Sequence, residues 1–269
     1  RMRSAMKSTM VEAALRRNRL TLAFLLVVLP LACWIWIIIM ARDMYGSMTG
    51  ASAWMMTSHW DVPRLVLLWA MWAAMMAAMM LPSATPFVLL YAGAVRNRAE
   101  SRSPAATIYA LAGGYVLVWA GFSVGATLLQ WLLAKLLVLT PMMEPTSPWA
   151  APLLLMIAGL YQLTPLKQAC LRSCRSPIGF LGTRWRTGTA GSFRMGVENG
   201  VYCVGCCWAL MLLLFAGGVM NLWVILTLTA WVAIEKLAPF GRESARVSGA
   251  MLLGAAAWML LKPLMPLLR

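Results

Sequence analysis

Charge is what this sequence has least of. Only 12% of its 269 residues are charged, and just 8 are Asp or Glu. A soluble domain carries about 25% charged residues, so a water-soluble globule and a disordered tail are both excluded. Histidine occurs once, at His59, which rules out a His-rich metal cage. Nothing resembles a hydrolase triad, a phosphate loop, a dinucleotide-binding turn or a His-Glu-x-x-His pair, so the common enzyme chemistries find no footing. Nucleic-acid-binding motifs are missing as well, and no nucleic-acid partner is expected.

What remains is apolar. Hydrophobic residues make up 62% of the chain, and its mean hydropathy is +0.76. That composition predicts an all-α, polytopic integral membrane bundle, with the lipid bilayer as its first partner. Apolar runs fall at roughly 20–40, 64–91, 105–138, 150–169, 197–218, 222–237 and 246–262, giving seven candidate spans. The 222–237 run is short for a crossing of about 20 residues; if it is re-entrant, six crossings remain. The first run exceeds the 7–15-residue core of a signal peptide and reads as a retained anchor. The 105–138 run is long enough to require a tilt, a projection from the bilayer or a break near Gly113-Gly114. Gly121 and Gly125 have the GxxxG spacing that lets helices approach closely.

The basic residues orient the bundle. Eighteen of the 23 Lys and Arg fall within 1–19, 96–104, 164–195 and 236–246. Cytoplasmic loops collect positive charge, so residues 1–19 are expected to be a cytoplasmic basic N-terminus and 20–269 a single transmembrane domain in the cell's inner membrane. The inner segment 164–195 carries Phe180, Trp185 and Phe193 among Arg184, Arg186 and Arg194. That mixture suits a loop lying on an anionic membrane face, although a plain positive-inside loop explains it more simply.

Five of the 6 cysteines gather in one part of the chain. Cys170 and Cys174 stand at i, i+4, where the fourth run meets the cytoplasm. Cys203, Cys206 and Cys207 stand at i, i+3, i+4 near the cytoplasmic start of the fifth. Each set shares one helix face, and the topology puts both sets at one depth. Thiolates select soft ions, so copper(I), with zinc as the other candidate, is the expected cofactor. Small buried cysteines that merely pack are the simpler alternative.

Methionine is abundant, with 22 copies. Met71, Met75 and Met79 form one i, i+4 row and Met76 and Met80 another, just before Pro82 and Pro86. Thioethers are neutral soft ligands, which makes Met75, Met79 and Met211 candidate relay ligands; gap-filling between helices would explain the same stripe. The prolines are expected to disrupt the helix and free the carbonyls of Ala78 and Pro82 for Ser83, Thr85, water or an ion. Glu198 and Glu235 read as interfacial carboxylates, Glu235 with the adjacent Lys236 as an ion pair. Outside, Met55, Met56, His59 and Asp61 cluster as a conceivable metal entry point.

Three pieces carry a resemblance: Met75 to Pro86, Cys170 to Pro177, and Gly200 to Met211 with Gly217-Gly218-Val219-Met220-Asn221 and Glu235-Lys236 after it. Together they resemble a bacterial family of predicted metal-binding integral membrane proteins, a domain of unknown function. The resemblance implies metal binding without naming a reaction. At Asn199 the chain departs from the His that similar sequences often carry ahead of the Gly-x-Tyr-Cys segment. The leading expectation is soft-metal handling, in which Cys203, Cys206 and Cys207 are core ligands and Cys170 and Cys174 an exchange site with a metallochaperone. Two other classes compete with it: an accessory or assembly subunit of a larger membrane complex, and a thiol–disulfide oxidoreductase using Cys203-Val204-Gly205-Cys206.

Overall fold

A computed structural model describes residues 20–46, 61–98, 104–136 and 148–262, and every regular element among them is helical. In chain order they are α1 (Leu20–Met44, with a π-turn at Phe24–Val28), α2 (Val62–Arg98), α3 (Pro104–Lys135), α4 (Ala150–Gln162), α5 (Pro165–Arg175), α6 (Pro177–Arg184), α7 (Gly188–Gly217), α8 (Leu222–Leu237) and α9 (Gly241–Leu261). Among the described residues five helices, α1, α2, α3, α7 and α9, are long and apolar enough to cross a membrane. The bent pair α4–α5 makes a sixth if it is one span. The seven expected spans are thus reduced. The run at 150–169 ends early, because Thr164 caps a new helix: its side chain accepts from Lys167 N at 3.2 Å and Pro165 opens the first turn. The chain turns by 66° there. The 222–237 run forms α8, whose 16 residues fall short of a crossing.

The bundle has an apolar outside. Leu31, Ile35 and Ile39 form an exposed row on α1, as do Leu117, Val124 and Leu128 on α3. In water such faces would be an association hazard; against hydrocarbon they are the expected exterior. Inside, Trp72 of α2 donates to Gln130 Oε1 of α3 at 2.7 Å, both side chains buried, which fixes the register of that helix pair.

One expectation about helix irregularity fails, and one of three alternatives for the long 105–138 run is excluded. α2 runs unbroken through Pro82 and Pro86. Ser83 Oγ donates to Met80 O at 2.8 Å and Thr85 Oγ1 to Leu81 O at 3.4 Å, and Tyr115 OH of α3 adds a donor to Met80 O at 3.2 Å. These donors meet the carbonyls of Met80 and Leu81, beside but not at the Ala78 and Pro82 carbonyls that the prolines leave without an N–H. α3 likewise passes Gly113-Gly114 without a break. Gly114 instead makes a close helix contact: a Cβ there would collide with the Phe193 carbonyl of α7, and a Cβ at Gly196 would collide with Leu111 O of α3. Around Gly121 and Gly125 there is open space, so the contact motif is Gly196-x-x-x-Gly200 and not the GxxxG of α3. Gly196→Leu is expected to destabilise the protein by about 3 kcal/mol through overpacking, whereas Gly121→Ala should be neutral. Thermal unfolding of the two variants in one detergent checks this, and equal melting temperatures would refute the seam.

The basic segment 164–195 is mostly helix and not a loop. Phe180 is buried with its ring 5.4 Å from Phe87, and Trp185 stacks 5.5 Å from Tyr91. Arg184, Arg186 and Arg194 converge on Glu198 at 3.3, 2.9 and 3.5 Å. Phe180 and Trp185 pack into the core whereas Phe193 is exposed, and these three arginines answer one carboxylate.

Candidate metal centre

Five helices meet where the thiols lie, α3 among them through Tyr115. α7 presents Cys203, Cys206 and Cys207, all buried, on the face that helical spacing predicts. α5 packs beside it with Cys170 and Cys174 half-buried against the same core. The approach is close because Gly205 has no side chain: a Cβ there would lie 2.8 Å from Cys170 Sγ. α2 supplies Met80, and α8 supplies Lys236.

The three thiols of α7 turn to three different partners. Cys206 Sγ lies 3.8 Å from Cys174 Sγ. Cys207 Sγ lies 3.9 Å from Met80 Sδ. Cys203 Sγ accepts from Lys236 Nζ at 2.9 Å and contacts Tyr115 OH at 3.0 Å. Cys206 and Cys207 also reach back to the Cys203 carbonyl at 3.1 and 2.9 Å. Among the described residues no three His, Cys, Asp or Glu side chains are grouped to hold a metal ion. The arrangement is one of sulfur pairs, and all the described cysteines are free thiols.

Pair spacing bears on chemistry. Two sulfurs bound to one ion at about 2.3 Å each stand about 3.8 Å apart at a tetrahedral angle and about 4.6 Å apart in a line. Both observed pairs fall at the short end of that range. A structural zinc site wants four N or S ligands, and no such set is assembled. Thiolate with thioether is a soft combination, suited to copper(I).

A cavity of about 160 Å³ opens beside the thiols, with Ser83, Tyr115, Cys174, Asn199, Cys203 and Lys236 in its wall. Asn199, the position where the sequence departs from the resemblance, thus shares a cavity wall with Cys174 and Cys203. Lys236 Nζ bridges the cavity, 3.2 Å from Ser83 Oγ and 3.8 Å from Met80 Sδ.

The expected methionine ligands are sorted unevenly. Met75, Met79 and Met211 are buried in the same core cluster as the thiols, but Met80 is the methionine whose sulfur meets a cysteine. The expected Glu235–Lys236 pair is wrong in its partner. Glu235 pairs with Lys167 at 2.6 Å, and both side chains are almost fully buried. Gln162 Nε2, Trp231 Nε1 and Ser248 Oγ complete the carboxylate's shell at 2.8, 3.0 and 3.3 Å. Adjacent helix residues point about 100° apart, so Glu235 and Lys236 serve different neighbours. Lys236 and Tyr115, both missed as site residues, had one sequence signal: a lysine in an apolar segment is expensive and asks for a function. His59, Met55 and Met56 lie outside the described residues.

The profile of the PpoB2 family, described as copper chaperones, matches residues 69–259. This chain belongs to that copper chaperone family. The matched stretch contains every segment that carries the metal-binding resemblance, including the cysteines of α5 and α7. No curated protein and no solved structure matches the chain.

Proposed function

We propose that this chaperone is an integral membrane protein that carries copper(I) on paired sulfurs: Cys207 with Met80, and Cys206 with Cys174. Cys203 stands between the pairs and Cys170 on the approach to them. The observation that carries the reading is the two sulfur–sulfur separations, 3.8 and 3.9 Å, inside one buried cluster of a copper chaperone family member. Copper is cargo here. An ion held by few soft donors passes between sulfurs one ligand at a time, so Cys170 and Cys174 suit exchange with a metallochaperone. The inner α7 thiols suit delivery to an acceptor in a larger membrane complex. The charge distribution supports an inner-membrane setting with residues 1–19 and the thiol end of α5 on the cytoplasmic side.

The experiment separates ligand from filler within the methionine stripe. Leu conserves the volume of Met, so Met80→Leu and Met75→Leu should both fold. Met80→Leu is expected to weaken copper(I) binding about tenfold or more, measured by competition with a copper(I) chelator under anaerobic reducing conditions. Met75→Leu should stay close to wild type. Equal affinities for wild type and Met80→Leu would remove the thioether from the site.

A further inference from the structure

A second cavity, of about 340 Å³, lies on the other side of α5 from the thiols. Arg172 and Arg175 from α5 and Arg242 and Arg246 from the first turns of α9 line it, together with Gln168 and Leu171. No carboxylate lines it. Arg172, Arg242 and Arg246 form no ion pair among the described residues, in contrast to the trio around Glu198. Arg175 is partly engaged, donating to the carbonyls of Ala238 and Pro239 at 2.6 and 2.7 Å. Gln168 Nε2 is buried without a hydrogen-bond partner.

Arg172, Arg242 and Arg246 are exposed, so water screens their mutual repulsion, but four guanidinium groups around one cavity still concentrate a positive potential that an anion would neutralise. Guanidinium forks match the oxygens of a phosphate. A buried amide donor without an acceptor is costly, and a turn of the Gln168 side chain toward the cavity it lines would let an anionic oxygen satisfy it. A merely topological set of positive charges would have no reason to line one cavity with such a donor. The depth is also telling: α9 is one of the helices long enough to cross, and the first turns of a crossing lie at the level of lipid headgroups. Leu163, Pro165 and Leu171 give the cavity an apolar side, as a headgroup with its acyl chains requires.

We infer that the Arg172–Arg175–Arg242–Arg246 cavity is a binding site for a phosphate group, supplied by an anionic phospholipid headgroup or by free phosphate. This goes beyond copper carriage and does not depend on it. Full-length protein in a neutral detergent would be titrated with dioctanoyl phosphatidylglycerol, with dioctanoyl phosphatidylcholine and with inorganic phosphate. Wild type would be compared with R172Q/R242Q/R246Q, which spares Arg175 and its carbonyl contacts, and with R16Q/R17Q/R19Q, which removes the same charge elsewhere. The expected result is phosphatidylglycerol binding about tenfold tighter than phosphatidylcholine, lost in R172Q/R242Q/R246Q and kept in R16Q/R17Q/R19Q. If inorganic phosphate binds and displaces the lipid, the source is free phosphate; if it does neither, the source is the headgroup. Equal binding of phosphatidylglycerol and of inorganic phosphate by wild type and R172Q/R242Q/R246Q overturns the site, as does an equal loss in R16Q/R17Q/R19Q. Copper(I) loading of each variant, measured in parallel, verifies folding and tells failure of this site from failure of the copper reading.

Discussion

Replacing Cys203, Cys206 and Cys207 together by Ser is expected to leave the protein unable to retain copper(I). The change removes one member of each sulfur pair and the thiol held by Lys236 and Tyr115. Losing even an outer partner of a metal ligand costs about 10–100-fold in affinity, so loss of the thiolates themselves should exceed that range. Elemental analysis of anaerobically purified protein should find near-stoichiometric copper in the wild type and background in the triple variant. Ser is smaller and more polar than Cys, so a matched melting curve is needed to show that the bundle survives. Copper retained in full by a folded triple variant would end the sulfur-pair reading. Bound zinc in place of copper would show that the cluster recruits further ligands that the described arrangement does not assemble.

The second large effect is structural. Glu235→Ala is expected to destabilise the protein by about 3–5 kcal/mol, because it strands a buried ammonium. Lys167 is fully buried and faces the carboxylate at 2.6 Å. Gln162, Trp231 and Ser248 would lose their acceptor as well. The double change Lys167→Met with Glu235→Leu should recover most of the loss, since well-packed apolar groups often replace a buried pair at little or no cost. Unfolding of the three proteins in one detergent tests this; a single variant as stable as wild type would show that water reaches the pair. Glu235 links α8 to α4, α5 and α9 through these contacts. Its loss should therefore also disturb Lys236 above the thiols and reduce copper retention indirectly.

Much of this architecture was legible from the sequence. The runs now in α1, α2, α3, α7 and α9 stand out because apolar length alone defines a membrane-length helix. The convergence of Cys170 and Cys174 on the α7 thiols was also readable, from spacing and depth. Other features had signals that were passed over. Thr164-Pro165 is a cap followed by a first-turn proline, and it ends the fourth run at the observed bend. Ser176-Pro177 opens α6 with a first-turn proline in the same way, though the Ser176 side chain makes no capping hydrogen bond. Gly196 and Gly200 have the same spacing as Gly121 and Gly125, and pattern alone cannot say which pair faces a helix. The choice between Met75 and Met80 was beyond sequence too, since both belong to i, i+4 rows and only the packing of α2 against α7 selects one. The partner of Glu235 was hidden for a similar reason: the nearest lysine in sequence points elsewhere, and the true partner lies 68 residues away.

The two short helices beside the thiols have a further consequence. At 1.5 Å per residue, the 13 residues of α4 reach about 20 Å and the 16 of α8 about 24 Å. A hydrocarbon slab is about 30 Å thick. In the proposed membrane setting α8, and α4 where the chain bends away into α5, would each end several ångströms short of one surface, and their polar ends would draw water and headgroups inward at that corner. In that setting the bilayer would be thinned where the sulfurs lie, while α2, α3 and α7 around them are long enough to keep full height. An ion arriving from the cytoplasm then has little oil to cross before it meets the first thiol.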